Sequence, residues 1–220
     1  MLFQIPNVLS AEVLAELRDR LDRAEFKDGK LTAGWHAKTV KENTQLAAKD
    51  PLGQHVKTTV RQALLGHPLF QSAVRPQSIH SLLVSRYGEG MSYGRHVDNA
   101  VMNGHRTDVS LTVFLNEPDE YAGGELTIEG ADRETGYKLP AGSAIVYPST
   151  TLHRVDPVTK GHRLVVVGWV QSHIRDASHR EILFDLETVQ RSLFAKQGKT
   201  PEFDLIAKSH ANLMRQWLDG

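Results

Sequence analysis

The chain has 220 residues, of which 40% are hydrophobic and 24% charged, and its 26 Lys and Arg balance its 26 Asp and Glu. This size suits one domain with an appendage, with two small domains as the alternative, and the charge pattern does not indicate a nucleic-acid or membrane partner. The absence of cysteine excludes disulfides, thiolate nucleophiles and cysteine-ligated metals. The eleven histidines are therefore the nitrogen ligands that a metal would use.

The N-terminus lacks the pattern of a signal peptide, because it has no basic start and polar residues interrupt its apolar ones. The longest apolar run, residues 164–170, is far shorter than the roughly 20 residues that span a bilayer. We therefore expect a cytoplasmic protein.

Two helices are predicted before the strands begin. Ser10 is placed to cap a helix over residues 11–26, whose apolar residues recur at helical spacing. Residues 51–65 have the same spacing, and Gly66 is suited to end this second helix. The polar stretch between the two has no clear period.

From residue 79 the pattern becomes that of short strands. Val109, Leu111 and Val113 alternate with Ser110 and Thr112, as a sheet with two unlike faces requires. Turns rich in Gly, Pro and Asp separate the expected strands, which are residues 79–87, 109–115, 125–129, 137–139, 144–147, 152–155 and 163–170. Many short strands at such intervals predict a jelly roll.

After residue 171 helical spacing returns, first with the apolar residues Ile182, Leu186, Val189 and Leu193 and then with a last helix that starts at Thr200 and Pro201. The fold class is thus mainly β with flanking helices. We expect residues 1–175 to form one domain, with its jelly-roll core at about 79–171, and residues 176–220 to form a C-terminal helical extension. This extension either covers a sheet edge or pairs with a second subunit in a homodimer.

The candidate functional residues begin with His96 and Asp98. They lie two apart, so in an extended segment their side chains leave from one face and can bind one metal ion, with His153 as third ligand. Two histidines and one carboxylate leave coordination positions open, which suits non-haem Fe(II) and oxygen chemistry. A His-x-Asp pair alone is weak, and other histidines are alternatives for the third ligand: His80, His105, His162, His173 and His179.

A second candidate, Arg163, opens a strand of valines and leucine. We expect strands 152–155 and 163–170 to form a hairpin over residues 157–161, with Arg163 opposite Val155 and pointing the same way as His153. A buried guanidinium needs an anionic partner, which a five-carbon dicarboxylate that chelates the metal through its keto-acid end would supply. An exposed arginine on an edge strand is the alternative.

Several motifs together resemble those of the Fe(II)/2-oxoglutarate dioxygenases of the prolyl-4-hydroxylase type, and more closely those of the bacterial PKHD-type hydroxylases. The likeness to the bacterial group extends over the whole chain. The segments that carry it are Arg86-Tyr87-Gly88, Arg95-His96-Val97-Asp98-Asn99, Leu115-Asn116, Tyr121-Ala122-Gly123-Gly124-Glu125-Leu126, Pro140-Ala141-Gly142-Ser143, Tyr147-Pro148, His153-Arg154-Val155 and Arg163.

The resemblance implies a double-stranded β-helix core in which His96, Asp98 and His153 hold iron and Arg163 holds the C5 carboxylate of 2-oxoglutarate, with Tyr87 near this co-substrate. It implies hydroxylation of a C–H bond of an unidentified primary substrate, coupled to conversion of 2-oxoglutarate and dioxygen to succinate and carbon dioxide. It also implies ascorbate as reductant and a link to iron uptake. Residues 29–50 and 99–107 are expected to frame the mouth of the site.

There is one departure from the family pattern. Phe114 stands where the hypoxia-sensing prolyl hydroxylases have a tyrosine, so a second partner of the co-substrate carboxylate must come from elsewhere or be absent. Two other functions remain open, a non-catalytic iron-binding or iron-sensing module and a cupin-like dioxygenase without 2-oxoglutarate. Neither has a use for Arg163.

Overall fold

The computed structural model describes residues 1–32, 34 and 37–218 of the chain. Five helices are present in this part: α1 (Ala11–Asp22), α2 (Pro51–Gly66), α3 (Pro68–Val74), α4 (Ala177–Gln197) and α5 (Pro201–Trp217). Among the described residues no helix is long and apolar enough to cross a membrane.

The strands of the described residues form two main sheets and two short ribbons. They are β1 (Phe3–Ile5), β2 (Lys27–Asp28), β3 (Thr44–Gln45), β4 (Pro76–Tyr87), β5 (Tyr93–His96), β6 (Val101–Met102), β7 (His105–Arg106), β8 (Val109–Phe114), β9 (Ala122–Gly123), β10 (Leu126–Glu129), β11 (Glu134–Tyr137), β12 (Ala144–Pro148), β13 (His153–Val155), β14 (Val158–Lys160) and β15 (Arg163–Ser172). The seven-stranded major sheet has the order β1-β12-β8-β15-β4-β3-β2, and the four-stranded minor sheet has the order β11-β10-β13-β5. The predicted mainly β class, a jelly roll with flanking helices, is confirmed.

Alternation along the major sheet separates two cores. Val109, Leu111 and Val113 of β8 pack with residues of α1, α2 and α3 on the helical side of the sheet. Phe114 of the same strand packs on the opposite side with residues of the minor sheet. Ser110 lies on that side too, lining a cavity between the two sheets. Strand β8 therefore buries apolar side chains on both faces of the sheet, whereas its polar residues Ser110 and Thr112 line the cavity on the inner face.

The predicted hairpin between strands 152–155 and 163–170 is wrong. β13 belongs to the minor sheet, where Val155 pairs with Leu126, whereas β15 belongs to the major sheet, where Arg163 pairs with Tyr87. The connection crosses from one sheet to the other, and its β14 strand pairs with β9. The pairing with β9 gives the backbone of the connection its hydrogen-bond partners. The connection is therefore stable without a hairpin between β13 and β15.

α1 ends at Asp22, four residues earlier than predicted. The guanidinium of Arg86 donates to the carbonyl oxygens of Leu21 and Ala24, at 3.1 Å and 3.5 Å, and lies 3.7 Å from the centre of the Phe26 ring. A side chain from β4 thus donates hydrogen bonds to the carbonyl groups at the end of the helix. Since this contact joins residues far apart in sequence, local spacing could not predict it.

The C-terminal helices pack on the helical side of the jelly roll. Glu187 of α4 accepts hydrogen bonds from Ser72 at 2.8 Å and from Arg75 at 2.9 Å. α5 has no buried residue among its described side chains and contacts α4 through aromatic pairs, such as His179 with Trp217. The division into residues 1–175 and 176–220 stays a prediction, and residues 219 and 220 lie outside the described part.

Candidate active site

His96, Asp98 and His153 come together at one edge of the minor sheet. His96 ends β5 and His153 begins β13, and the two residues are directly paired across these antiparallel strands. One ligand atom from each of the three side chains lies within 4.8 Å of the other two. Within the described part of the chain, no other group of three His, Asp or Glu side chains meets at this distance.

Both imidazoles have their orientation fixed by a backbone carbonyl. Nδ1 of His96 lies 2.8 Å from the oxygen of Gly94, and Nδ1 of His153 lies 3.0 Å from that of Thr151. Since a carbonyl oxygen only accepts, each Nδ1 carries a hydrogen, and Nε2 is the ring nitrogen left to bind a metal. These Nε2 atoms lie 4.0 Å and 3.8 Å from the two oxygens of Asp98, so three metal-binding donors converge.

Asp98 is held by Ser110, which in turn contacts Ser149, and sequence reasoning missed both serines. Ser110 of β8 donates to Asp98 Oδ2 at 2.6 Å, and its oxygen lies 2.8 Å from that of Ser149. The carboxylate is therefore fixed from the opposite sheet. The one signal in the sequence was alternation, which places Ser110 on the face opposite Val109.

Burial sets the charge of the groups around the metal-binding residues. It lowers the pKa of His96 to about 4, with the charge of His153 as the next cause, so His96 is neutral at physiological pH, as a metal ligand must be. Lys41, which lines the same cavity and is 5% exposed, has its pKa lowered by burial to about 8, although Asp28 and Asp98 oppose the shift. Lys41 was not predicted as a site residue.

Arg163 lies at the other end of the cavity and is 1% exposed. Its Nε and Nη1 atoms are buried and have no hydrogen-bond partner among the described residues. The central carbon of the guanidinium lies 5.2 Å from the centre of the Tyr87 ring and 5.5 Å from that of Phe114. The two rings stabilise the cation but accept no conventional hydrogen bond, which leaves a site for an anion.

One cavity of about 560 Å³ joins the metal-binding residues to Arg163. Tyr87 and Tyr147 line it between the two sheets. Both loops predicted to frame the mouth contribute to the lining, through Asn43 and Gln45 of residues 29–50 and through Asn99 and Met102 of residues 99–107. Residues 33, 35 and 36 of the first loop lie outside the described part.

The alternative third ligands have other surroundings. His80 and His105 stack on each other at 5.2 Å, and Nε2 of His80 lies 3.0 Å from the carbonyl oxygen of Arg106. His179 stacks on Trp217 in the C-terminal helices. Neither these residues nor His162 and His173 join the group formed by His96, Asp98 and His153.

Comparison with known proteins identifies this arrangement. A model of the 2OG-Fe(II) oxygenase superfamily matches residues 82–171. A PKHD-type hydroxylase of Picosynechococcus sp. is 64% identical over 217 residues, which cover 99% of each chain. A PKHD-type hydroxylase of Acaryochloris marina is 64% identical over 219 residues, which cover 100% of each chain. The chain belongs to the PKHD-type hydroxylases.

Solved structures support the fold of this PKHD-type hydroxylase. A Pseudomonas putida prolyl-4-hydroxylase has a TM-score of 0.53 and 23% identity, covering 78% of this chain and 92% of its own. A prolyl hydroxylase from Trichoplax adhaerens, solved with a hypoxia-inducible factor peptide, has a TM-score of 0.55 and 16% identity, covering 82% of this chain and 86% of its own. At these identities the likeness concerns the jelly-roll fold.

The protein is an Fe(II)/2-oxoglutarate-dependent dioxygenase, as the family assignment establishes. Its residues fit both groups. Two neutral imidazoles and a carboxylate are a donor set suited to Fe(II), and they leave positions open for other ligands. The unpaired, buried guanidinium of Arg163 suits a carboxylate, which accepts through both oxygens.

Proposed function

We propose that His96, Asp98 and His153 hold Fe(II) and that Arg163, with Tyr87 beside it, holds the C5 carboxylate of 2-oxoglutarate. The observation that carries this proposal is the guanidinium of Arg163, which is 1% exposed, has no carboxylate partner among the described residues and lines the cavity that contains the three metal-binding side chains. An unpaired charge in the interior is costly, so its presence there is best explained by an anionic ligand.

Fe(II) and 2-oxoglutarate, when bound, supply the oxidation in which dioxygen converts 2-oxoglutarate to succinate and carbon dioxide and hydroxylates a C–H bond. The two histidines present their neutral Nε2 atoms, and Ser110 keeps Asp98 turned toward them. Arg163 neutralises the distal carboxylate and thereby fixes how far the keto-acid end reaches. The two sheets exclude water from the cavity between these points.

The primary substrate, a small molecule or a peptidyl side chain, enters in this proposal between residues 29–50 and 99–107. Polar side chains of both segments line the cavity beside the metal-binding residues, including Lys41, Asn43 and Asn99. Ascorbate as reductant, the link to iron uptake and the cytoplasmic location stay predictions from the sequence.

We also propose that a second copy of the chain covers the C-terminal helices. The side chains of Ile182, Val189, Phe194 and Leu205 are 43% to 58% exposed, although they are large and apolar. Ile182 and Val189 belong to the stripe predicted on α4, and seven residues separate them, as on the contact face of two packed helices. A homodimer would bury this stripe.

Anaerobic titration tests the proposed roles. Fe(II)-loaded protein should develop the weak visible charge-transfer band of a keto-acid chelate when 2-oxoglutarate is added. Asp98→Ala should lose the band because the metal is no longer held. Arg163→Ala should still bind Fe(II) but need roughly 100-fold more 2-oxoglutarate, since hydrogen bonds to a buried charged group contribute about 1.5–3 kcal/mol.

Arg154→Ala is the matched control, because Arg154 adjoins His153 but pairs with Glu134 and Asp156 on the outside of the sheet. It should titrate like the wild type. An unchanged affinity of Arg163→Ala for 2-oxoglutarate would remove that residue from the proposed role. Fe(II) binding without any band, and without consumption of 2-oxoglutarate, would favour the iron-binding module instead.

A further inference from the structure

Two aromatic rings flank the guanidinium of Arg163. Phe114 faces the guanidinium with its ring, 5.5 Å from the ring centre, and offers no hydrogen-bonding atom. Tyr87 also faces it with its ring, at 5.2 Å. The Nε and Nη1 atoms of Arg163 are buried without a partner among the described residues. An acceptor from another part of the chain would satisfy one of these two donors.

Tyr121 supplies a hydroxyl in the same place. It precedes β9, is 4% exposed, and its buried Oη has no hydrogen-bond partner within the described part of the chain. Its ring and the stem of Arg163 both pass over Gly124: a β-carbon built on that glycine would lie 3.2 Å from Tyr121 Cε2 and 3.3 Å from Arg163 Cδ. Gly124, with φ of +69°, thus allows the two side chains to approach each other.

The electrostatics of Tyr121 reflect this proximity. Burial raises the pKa of Tyr121, and the nearby charge of Arg163 opposes this rise. Lys138 holds the residue from the other side, because its Nζ lies 3.9 Å from the centre of the ring and donates to the backbone oxygen of Tyr121. The ring is therefore fixed independently of Arg163, with its hydroxyl close to the guanidinium.

Three buried polar atoms of two neighbouring side chains are thus unpaired: Arg163 Nε, Arg163 Nη1 and Tyr121 Oη. Each such atom costs about 1–3 kcal/mol, and folded proteins rarely leave one without a functional reason. A guanidinium only donates, whereas a hydroxyl also accepts, so the pair is complementary. Tyr87 and Tyr147 also lie near Arg163, but their hydroxyls are not among the unpaired buried atoms.

We propose that Tyr121 is a positioning residue for the dicarboxylate co-substrate. When the distal carboxylate binds, the Tyr121 hydroxyl accepts a hydrogen bond from Nε or Nη1 of Arg163, and the remaining N–H groups of the guanidinium stay directed at the carboxylate in the cavity. This inference rests on the proposed role of Arg163.

The test compares two keto acids on Fe(II)-loaded protein without oxygen, using the charge-transfer band. 2-Oxoglutarate has the distal carboxylate and 2-oxobutyrate does not. Tyr121→Phe should raise the Kd of 2-oxoglutarate by about 10-fold or more, because one hydrogen bond to a charged group contributes about 1.5–3 kcal/mol. It should leave the Kd of 2-oxobutyrate and the affinity for Fe(II) within about twofold, because the ring is retained and the metal end is not touched.

Two further variants separate the outcomes. Tyr137→Phe, which removes a hydroxyl elsewhere on the minor sheet, is the matched control and should bind both acids like the wild type. In an Arg163→Met background, Tyr121→Phe should raise the Kd of 2-oxoglutarate by less than a further factor of about two, since its effect acts through Arg163. If the effects of the two substitutions on the Kd of 2-oxoglutarate add, or if Tyr121→Phe weakens the binding of both keto acids equally, Tyr121 is not a positioning residue.

The same variants distinguish failure of this inference from failure of the proposed function. If Arg163→Met weakens 2-oxoglutarate and Tyr121→Phe does not, Tyr121 alone loses its role. If Arg163→Met leaves the Kd of 2-oxoglutarate unchanged, the proposed co-substrate site fails and the inference fails with it. A thermal unfolding curve of Tyr121→Phe close to that of the wild type shows that the fold is intact.

Discussion

The jelly roll and the C-terminal helices depart from the usual distribution of side chains in opposite ways. The jelly roll buries polar and charged groups, among them His96, Ser110 and Arg163. The C-terminal helices expose large apolar groups, among them Val189 and Leu205. Buried polar groups and clustered exposed apolar groups are both unfavourable unless something else binds to them. These three buried polar groups of the jelly roll line the cavity of the active site, and the exposed apolar groups of the helices form the surface that we propose a second copy covers.

In the metal-free protein, acid should lower the free energy of unfolding because one of the metal-binding residues, His96, is a buried histidine. The pKa of His96 is lowered to about 4, against about 6.5 in an unfolded chain. Between these pH values the unfolded chain binds a proton that the folded protein does not, so the free energy of unfolding falls as the pH drops through this window. The expected total loss from His96 is about 3 kcal/mol.

Urea unfolding at a series of pH values between about 7 and 4 measures this effect. His96→Gln should have a correspondingly smaller dependence on pH, because it lacks the titrating group. His80, whose pKa burial also lowers, contributes in the same direction in both proteins. Identical pH profiles for the wild type and His96→Gln would contradict the assignment.

Ser110→Ala should have the next largest effect, on metal affinity. Without the hydroxyl, Asp98 Oδ2 loses the donor that lies 2.6 Å away, and the carboxylate is free to turn from the histidines. Loss of such an outer hydrogen bond weakens metal binding by roughly 10- to 100-fold. Competition with a chelator for Fe(II), without oxygen, measures it.

Ser149→Ala is the control for Ser110→Ala, because Ser149 contacts Ser110 and has no direct hydrogen bond to Asp98. Its effect on metal affinity should be the smaller of the two. Equal Fe(II) affinity in Ser110→Ala and the wild type would show that Asp98 needs no support from the major sheet.

The smallest effect on stability is expected at the exposed stripe of α4. Replacing Ile182 and Val189 together by serine should change the free energy of unfolding of one chain by no more than about 0.5 kcal/mol, as is usual for surface positions. If a second copy covers the stripe, sedimentation should show a dimer in the wild type and a monomer in this variant. Thr188→Ala, at an exposed position of the same helix that does not share a face with Ile182 and Val189, should leave the dimer intact. A wild type that sediments as a monomer would contradict the homodimer.

The spacing of apolar residues predicted many of the helices and strands, because the period of each element follows from its local backbone geometry. The alternation in β8 and the four-three-four spacing in α4 each gave the right element. The short helix α3 was missed, since seven residues contain too little of a helical period. The hairpin between 152–155 and 163–170 was wrong although both strands exist, because nearness in sequence does not fix which sheet a strand joins.

The sequence by itself predicted most of the longer helices and strands and the family, and it indicated His96, Asp98 and His153 as one candidate donor set. Only the tertiary structure decided that Arg163 reaches the cavity from the major sheet, that Ser110 holds Asp98, and that Tyr121 lies beside Arg163. The physical reason is that periodicity and ligand chemistry are properties of a residue and its neighbours along the chain. The partner of a buried polar atom depends instead on the strand register and sheet pairing, which the whole fold sets.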